Sequence, residues 1–429
     1  MSFLRNIFRK KATAIDQNAI AKTYPAYADG SIEQKRAQAQ KDSSAEEFLD
    51  YWIKKAVDMR ASDVHFEKYR NYVKVRYRID GKLQTIKQLP VNLHSSIVTR
   101  VKILSRLKID EKRIPQDGRF SLEHNKKKFD VRVSILPGYL GECIVMRLLQ
   151  GDGEQFSLQK LGAREYDIQR LDKLIAVQNG IIIVAGPTGS GKSTTLYSII
   201  KKISSSERKV LTVEDPVEYQ LAGINQVSVN ETIGMTFASA LRSMLRQAPN
   251  VILIGEIRDK ETAEIAIRAA LTGHLVLSTV HAKDTVNAIT RMLDLGVPSY
   301  LIAATLRGVL SQRLVRKTCE DCHEIGDFDA EFLLDLVPEY KITGNEKTVI
   351  AKGCPKCFDS GYRGRKAVME ILAVTKELQA LIDQKANEDE IRELATKQGT
   401  QTIREIAIEH FTNGEIAEEA LLSLLAEMN

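Results

Sequence analysis

Ile181-Ile182-Ile183-Val184-Ala185-Gly186-Pro187-Thr188-Gly189-Ser190-Gly191-Lys192-Ser193-Thr194 is the stretch that decides the fold. An apolar run, Ile181–Ala185, leads into a glycine-rich loop, and a helix is expected to open at Lys192. Residues 186–193 fill the whole G-x-x-x-x-G-K-S phosphate-loop pattern in the strand–loop–helix context that the pattern requires. The residue types suit the chemistry. Glycines let backbone N–H groups curl around phosphates, and the helix N-terminus adds positive partial charge. Lys192 reaches the β- and γ-phosphates as a point charge, and the Ser193 hydroxyl is placed to ligate Mg²⁺. The nucleotide-binding set is therefore Gly186, Pro187, Thr188, Gly189, Ser190, Gly191, Lys192, Ser193 and Thr194, with ATP and Mg²⁺ as the expected ligands.

Further along, Val210–Val213, Val251–Ile254 and Leu275–Thr279 are short apolar runs bounded by Gly, Pro or charge, with helical segments between several of them. That texture predicts an α/β domain with a mainly parallel sheet. Val251–Ile254 ends in Gly255-Glu256, a Walker B-like strand whose acid, Glu256, is expected to act on the Mg²⁺-linked water. Glu214-Asp215-Pro216-Val217-Glu218 follows another strand. Three carboxylates within five residues suit a solvated loop, or a site where one of them orients the attacking water. His274 and His281 bracket Leu275–Thr279 at a spacing that is not that of metal ligands, leaving capping or core roles open beside a functional one.

Upstream of the P-loop domain, residues 1–42 are polar, rich in Lys, Gln and Ala, and are read as a flexible tail. Ser43-Ser44-Ala45-Glu46-Glu47 reads as a capping box. Leu49, Trp52, Ile53 and Ala56 then recur at helical spacing, so a domain starts here. Val73, Val75, Tyr77 and Ile79 alternate with Lys74, Arg76 and Arg78, and Asp80-Gly81 turns the chain into a return strand near Leu83–Ile86. Phe129–Ile135 and Cys143–Leu148 supply further strands. Residues 43–150 are thus a small α+β domain and 151–163, with Gly151-Asp152-Gly153, a linker or hinge. The ATPase domain is placed at 164–315.

Cys319-x2-Cys322 and Cys354-x2-Cys357 define a module at 316–372. In a reducing cytosol such paired knuckles are metal ligands rather than disulfides, and four thiolates suit a closed, structural Zn²⁺ site. The intervening segment, 323–353, exceeds the usual spacing of about 15–20 residues, so part of it must loop out. Cys143 stands apart as a strand residue. Residues 373–429 are polar and helix-forming. Over the 429 residues, 28% charged residues and a net charge of +6 describe an ordinary globular surface. No apolar run approaches the ~18 residues of a membrane span, and Met1–Lys11 lacks the core of a signal peptide. The expected location is the cytoplasm, although basic Arg5, Arg9, Lys10 and Lys11 among Phe3, Leu4, Ile7 and Phe8 also suit a membrane surface.

Together these segments resemble the secretion-ATPase superfamily, in its type II secretion and type IV pilus assembly branch. Val213–Glu218 is similar to the family's aspartate box, Val251–Asp259 to its Walker B, and Thr272–His281 to its histidine box. Ala61–Glu67, Arg76–Gly81 and Pro115–Arg119 are similar to hallmark segments of its N-terminal domain. The resemblance implies a RecA-like ATPase domain behind a PAS-like one, and a homo-hexameric ring peripheral to the inner membrane. A polytopic platform protein and the pilin or pseudopilin machinery would be its partners. It implies that Arg132 and Arg147 face the nucleotide, that Glu218, with Glu214 as second choice, orients water, and that His281 contacts the γ-phosphate. It further implies that a tetracysteine module marks assembly rather than retraction motors. Ala248-Pro249-Asn250 departs from the family's Asp-Pro-Asp. A retraction motor, a nucleic-acid translocase and a non-hydrolysing zinc scaffold are the rival readings. Nucleic acid is not an expected partner, because no aromatic-interleaved basic stripe is present.

Overall fold

The computed structural model describes residues 45–150, 156–338 and 340–428. The tail at 1–42, its basic end and the Ser43-Ser44 capping box therefore lie outside the described residues, as does the Gly151–Gly153 segment of the linker.

The N-terminal unit begins with helix α1 (Ala45–Asp58), whose Leu49, Trp52, Ile53 and Ala56 are all buried, as their helical spacing predicts. Strands β1 (Ala61–Lys68), β2 (Tyr72–Ile79), β3 (Lys82–Pro90), β4 (Gln116–His124), β5 (Lys127–Leu136) and β6 (Cys143–Gln150) form one sheet in the order β3-β2-β1-β6-β5-β4. All of its neighbours are antiparallel. Helix α2 (His94–Leu104) packs with α1 over one face, burying Phe66, Val75, Tyr77, Val133 and Met146. Alternation along β2 is strict because only this face is covered. A buried ion pair, Lys102 to Glu142 at 2.6 Å, ties α2 to the turn before β6.

The second unit is built on a seven-stranded sheet. Its strands are β7 (Gly180–Ala185), β8 (Val210–Glu214), β9 (Asn225–Ser228), β10 (Val251–Ile254), β11 (Leu275–Val280), β12 (Leu306–Thr318) and, after the cysteine module, β15 (Tyr362–Ala373). The order is β15-β12-β7-β11-β10-β8-β9, parallel throughout except for the β12–β15 pair. Every residue of β7, β8, β10 and β11 is buried, because helices cover both faces. On one face lie α3 (Glu165–Ile175) and α4 (Lys192–Ile203). On the other lie α5 (Phe237–Leu245), α6 (Lys260–Leu271), α7 (Thr285–Asp294) and α8 (Ser299–Thr305). Of the expected linker, Phe156 and Leu158 are already buried in the core under α3.

Strands β13 (His323–Gly326) and β14 (Thr348–Ala351) pair beside α9 (Ala330–Leu336), and α10 (Lys376–Asp383), α11 (Glu388–Lys397), α12 (Ile403–Thr412) and α13 (Glu418–Met428) close the chain. The boundary drawn at 315/316 falls inside β12, and β15, all but its last residue in the span given to the zinc module, is an edge strand of the seven-stranded sheet. The cysteine module is thus an excursion between two strands of that sheet. Core residues Val315, Tyr362 and Val368 pack directly with Ile406, Phe411 and Leu421 of the C-terminal helices.

Candidate active site

Because β7, β8, β10 and β11 are parallel and in register, their carboxyl ends emerge together, with Ala185 opposite Val280 and Ile254 opposite both Ser278 and Val213. Four sequence-predicted segments leave this single edge: the loop 186–193, the acidic loop 215–218, Gly255-Glu256 and His281. Ligands of open α/β sheets bind outside such an edge.

The loop has the required shape. Gly191 adopts φ +89° as the N-cap of α4, a left-handed conformation that side chains other than glycine's rarely take. At Gly186, a Cβ would stand 2.6 Å from Ser190 Oγ. Pro187, Thr188 and Gly189 are exposed at the mouth, while Ser193 and Thr194 sit half-buried on the first turn of α4. Lys192 Nζ donates to the carbonyls of Gly186 (2.9 Å) and Pro187 (3.0 Å). Burial presses its pKa below the usual lysine range, and the charges of Glu256 and Glu218 pull it back. The backbone cradle, the ammonium and the Ser193 hydroxyl are the donor set that a Mg²⁺–nucleotide needs.

Glu256 is the hub of the edge. Its carboxylate binds Arg258, and His281 Nε2 lies 3.8 Å from its second oxygen. Arg258 also approaches Asp215 at 3.7 Å, linking the acidic loop to the Walker B strand end. Partial burial, together with the Lys192 charge, lowers the His281 pKa below its usual value, so the imidazole is neutral at neutral pH. Arg258 was not singled out in the sequence. An arginine two residues beyond a Walker B acid was a signal available for it.

The two glutamates of the acidic loop have different environments. Glu214 is buried and its carboxylate accepts from Tyr197 Oη, Thr212 Oγ1 and Gln226 Nε2. Glu218 is half-buried, and its field reaches Lys192. From the N-terminal unit, Arg132 Nη2 donates to the Val217 carbonyl at 2.6 Å. Arg147 instead bonds Asp63 at 3.0 Å, and Asp63 is also approached by Arg78. So Arg132 reaches the acidic loop directly, whereas Arg147 is matched by a carboxylate of its own unit. Arg365, from β15, joins these two in the field around Tyr219. His274 does not reach the site; its Nδ1 bonds the Ala269 carbonyl at the end of α6. Asn250, in the altered Ala-Pro-Asn segment, accepts from the Lys209 amide at 2.8 Å.

The four cysteines converge. All their Sγ atoms lie within 4.8 Å of one another, with Cys319–Cys354 at 4.0 Å and Cys322–Cys357 at 3.7 Å. A tetrahedron of Zn–S bonds of ~2.3 Å has edges of about 3.8 Å, whereas a disulfide would need ~2.05 Å. Backbone amides of Cys354 and Gly361 point at Cys357 Sγ, as they do toward a thiolate. The set fits zinc and leaves no protein-free coordination position. Among the described residues, no helix is long and apolar enough to cross a membrane.

A glycine loop feeding a helix at the edge of a parallel sheet, flanked by acids on adjacent strand ends, makes this a P-loop nucleotide-binding protein. Residues 38–423 match the family described as Type II/IV secretion system protein, and the chain belongs to it. Type II secretion system ATPase E of Vibrio cholerae is 41% identical over 395 residues, covering 91% of this chain and 77% of that protein. Type IV pilus assembly ATPase TfpB of Acinetobacter baylyi is 40% identical over 385 residues, covering 90% and 66%. The pilus retraction motor PilT, solved with bound ADP, superposes with a TM-score of 0.60 at 26% identity, over 87% of this chain and 96% of that one.

Proposed function

We propose that the chain hydrolyses ATP to ADP and phosphate and delivers the work to assembly of type IV pilin or type II pseudopilin subunits. It does so as a homo-hexamer on the cytoplasmic side of the inner membrane, against a polytopic platform protein. The observation that carries the hydrolytic reading is the convergence of Lys192, Glu256, His281 and Glu218 on one sheet edge. The loop amides and Lys192 bind the β- and γ-phosphates. The Ser193 hydroxyl would hold Mg²⁺, which would supply neutralisation of phosphate charge when bound. Glu218, poorly sequestered and near Lys192, orients the attacking water and takes its proton. Glu256 and neutral His281 position water and γ-phosphate from the adjoining strands. Arg132 offers a cation from the other unit, so that breaking the β–γ bond changes how the two units attract one another. Such a change in contact biases a hinge.

The direction of work rests on the tetrathiolate, since by resemblance that module accompanies assembly motors. The names of the V. cholerae and A. baylyi relatives agree with this reading. The testing experiment introduces Lys192→Ala in the native host and follows surface filaments by electron microscopy beside the secreted-protein profile. Loss of filaments or of secretion, together with loss of turnover in the pure variant, supports the proposal. Near-normal hydrolysis by the pure variant overturns the site, and excess filaments would instead indicate a retraction motor.

A further inference from the structure

Gln312 lies midway along β12, fully buried, and outside every motif quoted from the sequence. Its side-chain amide is wedged behind the phosphate loop. Nε2 donates to the Ser190 carbonyl at 2.7 Å, and Oε1 accepts from the Thr195 hydroxyl. The approach is close: a Cβ on Gly191 would stand 2.6 Å from Gln312 Nε2, and one on Gly186 would stand 2.6 Å from the Gln312 carbonyl oxygen. Two of the loop's glycines thus leave room for Gln312 as well as for phosphate. The chemistry of the amide is specific, because one end must donate to a carbonyl while the other accepts from a hydroxyl. Glutamate would turn an anion on the Ser190 carbonyl, and methionine would fill the space with no donor at all.

The next residue serves the opposite face of the sheet. Arg313 Nη2 donates to the Lys283 carbonyl at 2.8 Å, and Ser311 Oγ donates to the same oxygen at 3.4 Å. Lys283 stands two residues beyond His281. One strand therefore grips the lysine loop with residue 312 and the histidine loop with residues 311 and 313.

We propose that Gln312 is a positioning residue for nucleotide binding, holding the Ser190 carbonyl so that the amides of residues 189–193 stay turned toward the phosphates. The inference rests on the reading of 186–194 as the ATP site. The loop contacts phosphates before and during transfer, so its loosening removes binding common to ground and transition states. KM then rises more than kcat falls.

The test uses the full-length chain, with ADP–Mg²⁺ titrated by calorimetry and ATP turnover measured in parallel. Gln312→Glu and Gln312→Met are expected to bind ADP about tenfold more weakly, since each strands a buried carbonyl. Thr195→Val, which removes only the second bond, is expected to lose about threefold. A purely structural role would lower the melting temperature of Gln312→Met and spare its ADP affinity. Affinity within twofold of wild type in either folded Gln312 variant overturns the proposal. If neither folds, unchanged affinity in Thr195→Val does so. Failure of the wild-type chain to bind ADP would remove the nucleotide reading itself.

Discussion

Arg132 Nη2 donates a 2.6 Å hydrogen bond to the carbonyl of Val217, joining β5 of the N-terminal unit to the acidic loop of the ATPase unit across 85 residues of chain. The bond places a guanidinium one residue from Glu218, the carboxylate expected to handle the attacking water. Arg147, equally mid-strand in the sequence, is instead paired with Asp63, which it shares with Arg78. The two arginines are therefore expected to separate in function. Arg132→Ala is expected to lower kcat by about 100-fold or more, as loss of a transition-state cation does. Arg147→Ala should act mainly on stability, by at most ~1 kcal/mol because its side chain is 57% exposed. Steady-state turnover and thermal melting of both variants check this. Equal losses of kcat would show that Arg147 leaves Asp63 to reach the nucleotide.

Glu214 and Glu218 give a second contrast. A carboxylate that accepts from Tyr197, Thr212 and Gln226 is an anchor, and replacing it by a carboxamide strands at least one buried donor. Glu214→Gln is expected to cost about 1–3 kcal/mol of stability with nucleotide binding retained. Glu218→Gln should melt like wild type and bind ADP normally while losing about 10²–10⁴ in kcat. Urea melts and turnover assays distinguish the pair, and the opposite pattern would exchange their roles.

The tetrathiolate predicts its own metal content. Elemental analysis of purified chain should find zinc at about one per chain, bound without an open position. Because the module sits between β12 and β15, two strands of the ATPase sheet, losing the metal should destabilise that sheet rather than a separate appendage. Cys354→Ser is expected to lose zinc and to lower the melting temperature by about 2–4 °C per kcal/mol lost. A zinc-free variant melting with the wild-type protein would mean that the four sulfurs hold no structural ion.

What was legible in the sequence follows from how each segment is stabilised. β7, β8, β10 and β11 are buried on both faces, so apolar side chains fill them and their runs are unmistakable. β4, by contrast, is an edge strand whose residues are all half-buried or exposed, and in Gln116–His124 only Phe120 and Leu122 carry an apolar alternation, too short to read as a strand. β12 escaped for a different reason. Ser311, Gln312 and Arg313 are buried polar residues whose partners, Lys283, Ser190 and Thr195, are distant in sequence. No local pattern encodes such pairing. The same limit applied to Glu214 and Glu218, which only tertiary packing separates.

Acid should act in two stages, a mild one in the N-terminal unit and then, below about pH 4.5, a steeper one that loosens the C-terminal helices. Glu415 is bound by His410 at 2.7 Å and by Lys366, and these partners hold its pKa at about 2 against an ordinary 4.5. For Glu419, burial opposes ionisation, but Lys82, Arg316 at 3.0 Å and Tyr362 outweigh it and bring the pKa to about 2. Both folded values lie below the unfolded one, so the unfolded chain binds more protons. The stability these groups give is complete above about pH 4.5 and is lost as pH falls through the interval down to about 2. A shallower loss begins below about 6.5, where burial depresses the pKa values of His65 and His94 in the N-terminal unit. Lys82 belongs to the N-terminal unit and Glu419 to α13, so protonation there also releases a contact between the two units. Melting temperatures measured from pH 7 to pH 3 should fall in these two stages. The double variant Glu415→Gln, Glu419→Gln should start lower at neutral pH and lose less in the second stage. A slope below pH 4.5 identical to that of wild type would mean that other carboxylates carry the acid response.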